Sequence, residues 1–380
     1  MEHIYLDHAA TTPMDKRVID AMVPVYEEVF GNPSSVHSFG RKARQLLDEG
    51  RRVLAGSIHA NEKEIIFTSG GTEADNLALI GTAKANQHKG KHIITTAMEH
   101  HATLHTAEHL EKEGFEVTYL PVKEDGKISV SDLQNTLRDD TILVSIMYVN
   151  NETGIIQPIK EIGELLKNHP AYFHTDAVQA YGTIEINVQE LGVDLLSVSA
   201  HKINGPKGIG FLYVREGIKL NALQFGGEQE RKRRPGTENV VGVVGFQTAV
   251  EVMIREREIR NTKYAAYKEQ FLQVLKEQGI NFSVNGDINS TIASIVNVSF
   301  PGGNVEKLLA NFDLSGVAAS SGSACTAGSV EPSHVLTAIY GENNPCTTNS
   351  IRFSFGAANT SENVEEAAHR VAKIIKRLVK

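Results

Sequence analysis

The chain has 380 residues, 41% hydrophobic and 22% charged, with a formal net charge of −8 and two cysteines. A single core stops growing near about 250–300 residues, so two or three domains of an ordinary soluble globular protein are expected. The acidic balance excludes a general nucleic-acid binder, which needs a basic surface, and leaves room only for a local basic patch. MEHIYLDHAA has no basic stretch followed by an apolar one, so no secretory signal is read there. No apolar run approaches the ~20 residues that span a bilayer. Cys325 and Cys346 read as two free thiols of a cytoplasmic protein.

In chain order, the first clear strand is EIIFTS (64–69). KHIITTA (91–97), FEVTYLPV (115–122), TILVSIMYVN (141–150), AYFHTDA (171–177), LLSVSA (195–200) and GIGFLYV (208–214) follow. They are rich in Ile, Val, Phe and Tyr, and several are apolar almost throughout, as strands covered on both faces are. Helical stretches such as EADNLALIGTAKANQHK (73–89) and IKEIGELLKNH (159–169) separate them. This alternation predicts an α/β fold, with a mainly parallel sheet between layers of helices. From Val240 to about Glu277 the pattern is one long charged helix, read as the connection to a smaller α+β domain. There TIASIVNVSF (291–300) and SIRFSF (350–355) are the strands, and a helix from about Ser361 closes the chain. Its acids, Glu362, Glu365 and Glu366, come early and its bases, Lys373, Lys376, Arg377 and Lys380, late, which suits the helix dipole. The expected domains are 15–256, and 1–14 together with 257–380. No internal repeat or low-complexity tract is present.

Four stretches can carry chemistry. In FTSGGTEADNLALIG a strand, glycines and a helix succeed one another. The backbone N–H groups of Gly70, Gly71 and Thr72 there are either a phosphate cradle or an ordinary turn. MEHHATLHT supplies His100, His101 and His105. The i,i+4 pair suits a metal on a helix, but no second ligand cluster accompanies it. YFHTDAVQA puts Asp176 at a strand end, with Gln179 a turn later. That acid is either a helix N-cap or the buried partner of a cation such as a pyridinium nitrogen. In SVSAHKINGPKGIG, Lys202 follows an apolar strand at the end where α/β sheets bind ligands. It is either a solvated loop lysine or a partly desolvated amine able to form a Schiff base.

Ten segments in a fixed order make the chain resemble the fold-type I, class V pyridoxal-phosphate enzymes, and most of all the cysteine desulfurases of the NifS/IscS type. They are YLDHAATTP (5–13), FGNPSSVHSFG (30–40), SGGTEADNLA (69–78), EHHATL (99–104), VNNETGIIQPI (149–159), HTDAVQA (174–180), SAHKINGPKGIG (199–210), RPGTEN (234–239), SGSACTAG (321–328) and IRFSFG (351–356). The resemblance implies a fold-type I PLP-dependent transferase: a large domain around a mainly parallel seven-stranded sheet, and a smaller α+β domain carrying the cysteine loop. It also implies pyridoxal 5'-phosphate as cofactor. Lys202 matches the Schiff-base lysine, His100 the imidazole over the ring, and Asp176 the pyridinium partner. Gln179 and Asn151 match groups near the ring hydroxyl. Gly71, Thr72, Ser199 and His201 match phosphate ligands. Thr237 matches a phosphate ligand supplied by a second subunit, which implies a homodimer. Arg352, with Asn151 beside it, matches the substrate-carboxylate grip, where a planar guanidinium serves better than an ammonium.

The resemblance also gives SSGSACTAG (320–328) a purpose. It implies that Cys325 attacks the sulfur of substrate L-cysteine, leaves L-alanine and carries a persulfide to an acceptor. Small residues suit a loop that must serve two positions. The thiol needs a base or proton carrier because a free one is mostly protonated at neutral pH, and His100 is the candidate. The acceptors implied are an iron–sulfur scaffold or a tRNA thiouridylase. Cys325 could bind an iron–sulfur cluster transiently with such a partner, and no resident metal, membrane or direct nucleic-acid contact is expected. The sequence given ends at Lys380, without the longer tail typical of the scaffold-partner type. Cys346 matches no motif cysteine, and RKRR (231–234) is either a solvated face or a contact for RNA or an acidic partner. The alternatives on the same fold are a selenocysteine lyase and a class V aminotransferase; from other classes, a metal hydrolase on His101 and His105 or a non-catalytic holder of sulfur-transfer partners.

Overall fold

The computed structural model describes residues 3–322 and 332–379. After β1 (Ile4–Tyr5) the chain builds a large sheet from β2 (Ile65–Thr68), β3 (His92–Thr96), β4 (Glu116–Leu120), β5 (Thr141–Ser145), β6 (Tyr172–Asp176), β7 (Leu195–Ser199) and β8 (Gly210–Val214). The seven strands lie in the order β2-β8-β7-β6-β5-β3-β4, and only β8 runs against the rest. The mainly parallel seven-stranded sheet is therefore present. Successive residues of a strand face opposite sides, and the packing follows that rule. Ile94, Val144 and Leu196 join one apolar cluster, while their neighbours Ile93, Leu143 and Leu195 join the cluster on the other face. Both faces are covered, which is why β3, β5, β7 and β8 are buried at every position.

One expected strand is shorter than its apolar run. TILVSIMYVN keeps backbone bonds to β6 as far as Tyr148, whose N–H donates to Asp176 O at 2.8 Å. The Asn150 side chain then accepts the N–H groups of Glu152 and Thr153, both at 2.9 Å, and folds the chain into a turn. A short polar side chain bonding its own neighbours in this way competes with the sheet ladder. The turn brings Asn151 to the edge of the site.

The second core is built around β9 (Ser283–Val284), β10 (Ile295–Ser299) and β12 (Ser350–Ser354), ordered β12-β10-β9 and antiparallel. The short β11 (Val317–Ala318) pairs with β1. A helix spans Val240–Glu277, 38 residues, as its sequence predicts. Its first half buries Val243, Phe246, Val250 and Met253 beneath the large sheet. Its second half buries Tyr264, Phe271 and Leu275 with Val296, Phe353 and Val371. No helix residue between Met253 and Tyr264 is buried, so the helix leaves one core before entering the other. Among the described residues no helix is long and apolar enough to cross a membrane.

Candidate active site

The carboxyl ends of β6 and β7 meet the start of the helix Gly71–Asn86 around a cavity of about 260 Å³. Gly71, Thr72, His100, Asn151, Asp176, Gln179, Ser199, His201, Lys202 and Arg352 all line it. Thr237 does not: it is exposed in the loop before Val240, away from its own chain's cavity. Cys325 lies outside the described residues.

The floor of the cavity is acidic. Asp176 ends β6, is 6% exposed, and accepts the Val178 N–H at 2.8 Å. Asp75, on the helix Gly71–Asn86, is 1% exposed, and its Oδ1 has no hydrogen-bond partner among the described residues. Burial pushes both carboxyls up, and the charge of Asp176 pushes Asp75 further. His174 Nε2 stands 3.7 Å from Asp75, but burial holds that imidazole neutral, pushed down to about 3. Two buried acids side by side are costly; Lys202 draws Asp176 down, but burial outweighs it.

One wall is an anion cradle. No side chain caps the helix that begins at Gly71, so its first N–H groups open onto the cavity beside Thr72, Ser199 and His201. A Cβ at position 71 would fall 2.7 Å from Val178 Cγ2, so only glycine lets helix and loop close up here.

Lys202 follows β7 in a short turn of 3₁₀ helix. Its ammonium donates to the carbonyls of Ala9 and, at 2.9 Å, Ala10. Burial pulls it down to about 8 and nearby Arg352 adds to that, while Asp176 and Asp7 oppose it. Gln179 donates to the same Ala9 carbonyl at 2.8 Å. Opposite, Arg352 on β12 is 2% exposed, donating to Asp7 Oδ1 at 2.9 Å and to Asn151 O at 2.7 Å. Its Nε has no partner among the described residues. Each terminal nitrogen of the guanidinium spends one N–H on these partners and keeps a second that can serve a carboxylate.

His100 caps the helix His101–Lys112 by accepting the Ala102 N–H on Nδ1 at 3.1 Å. Burial, then Lys202 and the neighbouring histidines, push it down to about 4, so the ring is neutral with its proton on Nε2. A nitrogen of His100 lies within 4.8 Å of carboxylate oxygens of Asp75 and Asp176. His101 and His105 share one helix and stack face to face, ring centroids 4.9 Å apart and 5° from parallel. Parallel rings send their lone pairs along parallel planes and not to a common point between the faces. Cys346 is buried, and burial pushes its thiol up to about 11, the reverse of a reactive thiolate. In the RKRR run, Arg234 pairs with Glu73 at 2.7 Å and Lys232 with Glu228 at 2.8 Å, while Arg231 and Lys232 stay exposed.

Sequence reasoning gave no role to Asp75, Asp7 or the carbonyls of Ala9 and Ala10. For Asp75 a signal exists: it falls one turn after Gly71, on the face that also carries Leu79 and Thr82 and is buried. Backbone carbonyls leave no trace in residue identity.

Comparison with known proteins agrees with this geometry. A family model described as aminotransferase class-V matches residues 4–366. The chain is 58% identical to the putative cysteine desulfurase IscS 1 of Bacillus subtilis (strain 168), with 100% of both chains covered. A solved NifS-like protein superposes with a TM-score of 0.93 at 33% identity, covering 99% of this chain and 100% of that one. A structure described as SspA in complex with cysteine superposes at 0.83 and 37% identity, covering 92% of this chain and 98% of that one. The chain belongs to the aminotransferase class-V family.

Proposed function

We propose that the protein is a cysteine desulfurase that uses pyridoxal 5'-phosphate to convert L-cysteine to L-alanine and passes the sulfur to Cys325 as a persulfide. The observation that carries the reading is one cavity lined by a buried acid at Asp176, uncapped helix N–H groups at Gly71, a buried lysine and a buried arginine. A pyridinium N–H suits the acid and a phosphate suits the uncapped N–H groups, so the residues fit the cofactor. Asp176 would hold the ring nitrogen, Gly71, Thr72, Ser199 and His201 the phosphate, Lys202 the aldehyde carbon, and Gln179, Asn151 and His100 the ring's edge and face. Thr237, exposed on its own chain, would reach the phosphate of a second copy, making the enzyme a homodimer. When bound, the cofactor supplies an electron sink for carbanion chemistry.

The chain's own residues do the rest. Arg352 binds and orients the substrate carboxylate, with Asp7 and the Asn151 carbonyl fixing its plane. Lys202, pulled down to about 8 by burial and so readily deprotonated, takes the substrate's α-proton on Nζ. His100 offers the proton on Nε2 to groups in the cavity; with Nδ1 capping a helix it serves as donor. At Cys325 the substrate's Cβ–S bond breaks and an S–S bond forms, and the hydrogens of the two thiols end on alanine and the persulfide. The acceptors we propose are an iron–sulfur scaffold or a tRNA thiouridylase, in the cytoplasm. We place the boundary between large and small domains at 256/257, within the exposed middle of the helix Val240–Glu277.

The test follows alanine and sulfide made from cysteine under reducing conditions. Cys325→Ser should abolish both while the visible absorbance of bound cofactor persists. Wild-type rates in that variant would remove Cys325 from the mechanism, and keto-acid release from other amino acids would point to an aminotransferase.

A further inference from the structure

A second cavity, of about 60 Å³, reaches Lys202 from the side away from the cradle. Lys202 and Gln179 line both cavities and form the wall between them. Its floor includes His8, which is 5% exposed; the Tyr5 backbone and the Asn359 side chain act on its ring, but neither ring nitrogen has a partner at hydrogen-bond geometry among the described residues. Burial holds that ring neutral, pushed down to about 4. A Cβ on Gly356 would fall 2.2 Å from His8 Nδ1, so the ring fits only against glycine. The mouth lies beside exposed Ala357 and half-buried Asn261.

A buried polar side chain without a protein partner is costly unless water satisfies it. A site holds water when it is polar and offers about 10–15 Å³ per molecule, so this cavity has room for about four. From the Lys202 and His8 floor to the Ala357 mouth, such a file joins the catalytic amine to solvent. It does so without entering the space that substrate and cofactor would occupy.

We infer that this rear cavity is a hydrated proton route through which Lys202 Nζ exchanges its protons with solvent while the front cavity is closed by substrate. The inference rests on the proposed role of Lys202 as the base that takes the α-proton. A proton taken by the neutral amine becomes one of three on the ammonium. Any of the three passes to a cavity water as a proton from another water returns, so charge and atoms balance and no redox partner is required. His8 is a positioning residue here: it anchors the water and never touches substrate.

The experiment supplies cysteine deuterated at Cα and measures deuterium kept anywhere in the alanine product. In the wild type, washout through the rear cavity competes with return of the label. Ala357→Leu plugs the mouth, and His8→Phe removes the two nitrogens at the floor. Each should raise the retained fraction by about twofold or more, if exchange at Nζ competes with proton return. Alanine formed with retention unchanged in both variants overturns the inference. No alanine from the wild type overturns the desulfurase reading instead, which keeps the two failures apart. Independently of turnover, a high-resolution structure of the unloaded wild type should show ordered waters between His8, Lys202 and the mouth, and a dry cavity would refute the route.

Discussion

At the floor of the front cavity Asp75 and Asp176 are buried together and Lys202 only partly offsets the cost to Asp176, whereas across from them Arg352 is buried against Asp7. Both regions line the same cavity, one from the end of β6 and the helix Gly71–Asn86, the other from the middle of β12. At the floor burial outweighs the pull of Lys202 and the carboxyls are pushed up. The arginine end is half complete, because one carboxylate and one carbonyl hold the guanidinium and leave Nε without a partner among the described residues. An incomplete charge set in a closed cavity describes its ligand: a cation at the floor and a second carboxylate at the arginine. It is this pairing, more than any single residue, that suits a pyridine cofactor with an amino-acid substrate.

Three variants separate the acidic floor from the arginine end. The largest effect is expected from Asp176→Asn, which removes the acid from the floor and leaves Asp75 alone. Turnover should fall by about 10²–10³, the usual cost of losing one preorganised charge. Bound cofactor, followed by absorbance, should also be released more readily than from the wild type. Normal turnover in this variant would mean that the floor does not face a cation during catalysis.

At the other end, Arg352→Lys keeps the charge and loses the planar fork. A charge-assisted hydrogen bond contributes about 1.5–3 kcal/mol, so KM for cysteine should rise about 10- to 100-fold. Cofactor absorbance should be unchanged. A drop in kcat with KM intact would move Arg352 from binding to chemistry.

The smallest effect is on stability. Burial holds Lys202 near 8, against 10.5 in an unfolded chain. Between those values the unfolded state carries a proton that the folded state has lost, so stability of the unloaded protein rises with pH across that window. Below about 8 both states are protonated and the dependence vanishes. Lys268, also pulled down to about 8 by burial, contributes with the same sign. Lys202→Met should flatten the rise by roughly 1 kcal/mol per pH unit, read from urea midpoints between pH 8 and 10. An unchanged slope would mean that Lys202 keeps its proton across this window in the folded, unloaded protein.

Much of this was legible in residue order. Apolar runs such as LLSVSA and GIGFLYV name strands covered on both faces, and the helix from Val240 to Glu277 follows its pattern end to end. The site residues were legible because α/β sheets place ligands at strand ends, where Asp176, Ser199 and Lys202 stand in the sequence. Asp75 was not, since an acid on a helix reads as a solvated face until the fold buries it. The early end of β5 was hidden because Ile146 to Val149 is as apolar as the strand before it, and only the bonds of Asn150 show the turn. The tautomer of His100 depends on a capping bond that composition does not encode.

The central claim is a covalent bond between pyridoxal phosphate and the side-chain nitrogen of Lys202. Borohydride reduction of cofactor-saturated protein, followed by peptide mass mapping, tests it most directly. The account predicts a pyridoxyl adduct on the peptide containing Lys202 and on no other lysine. An unmodified Lys202, or the adduct on Lys207 instead, would contradict it.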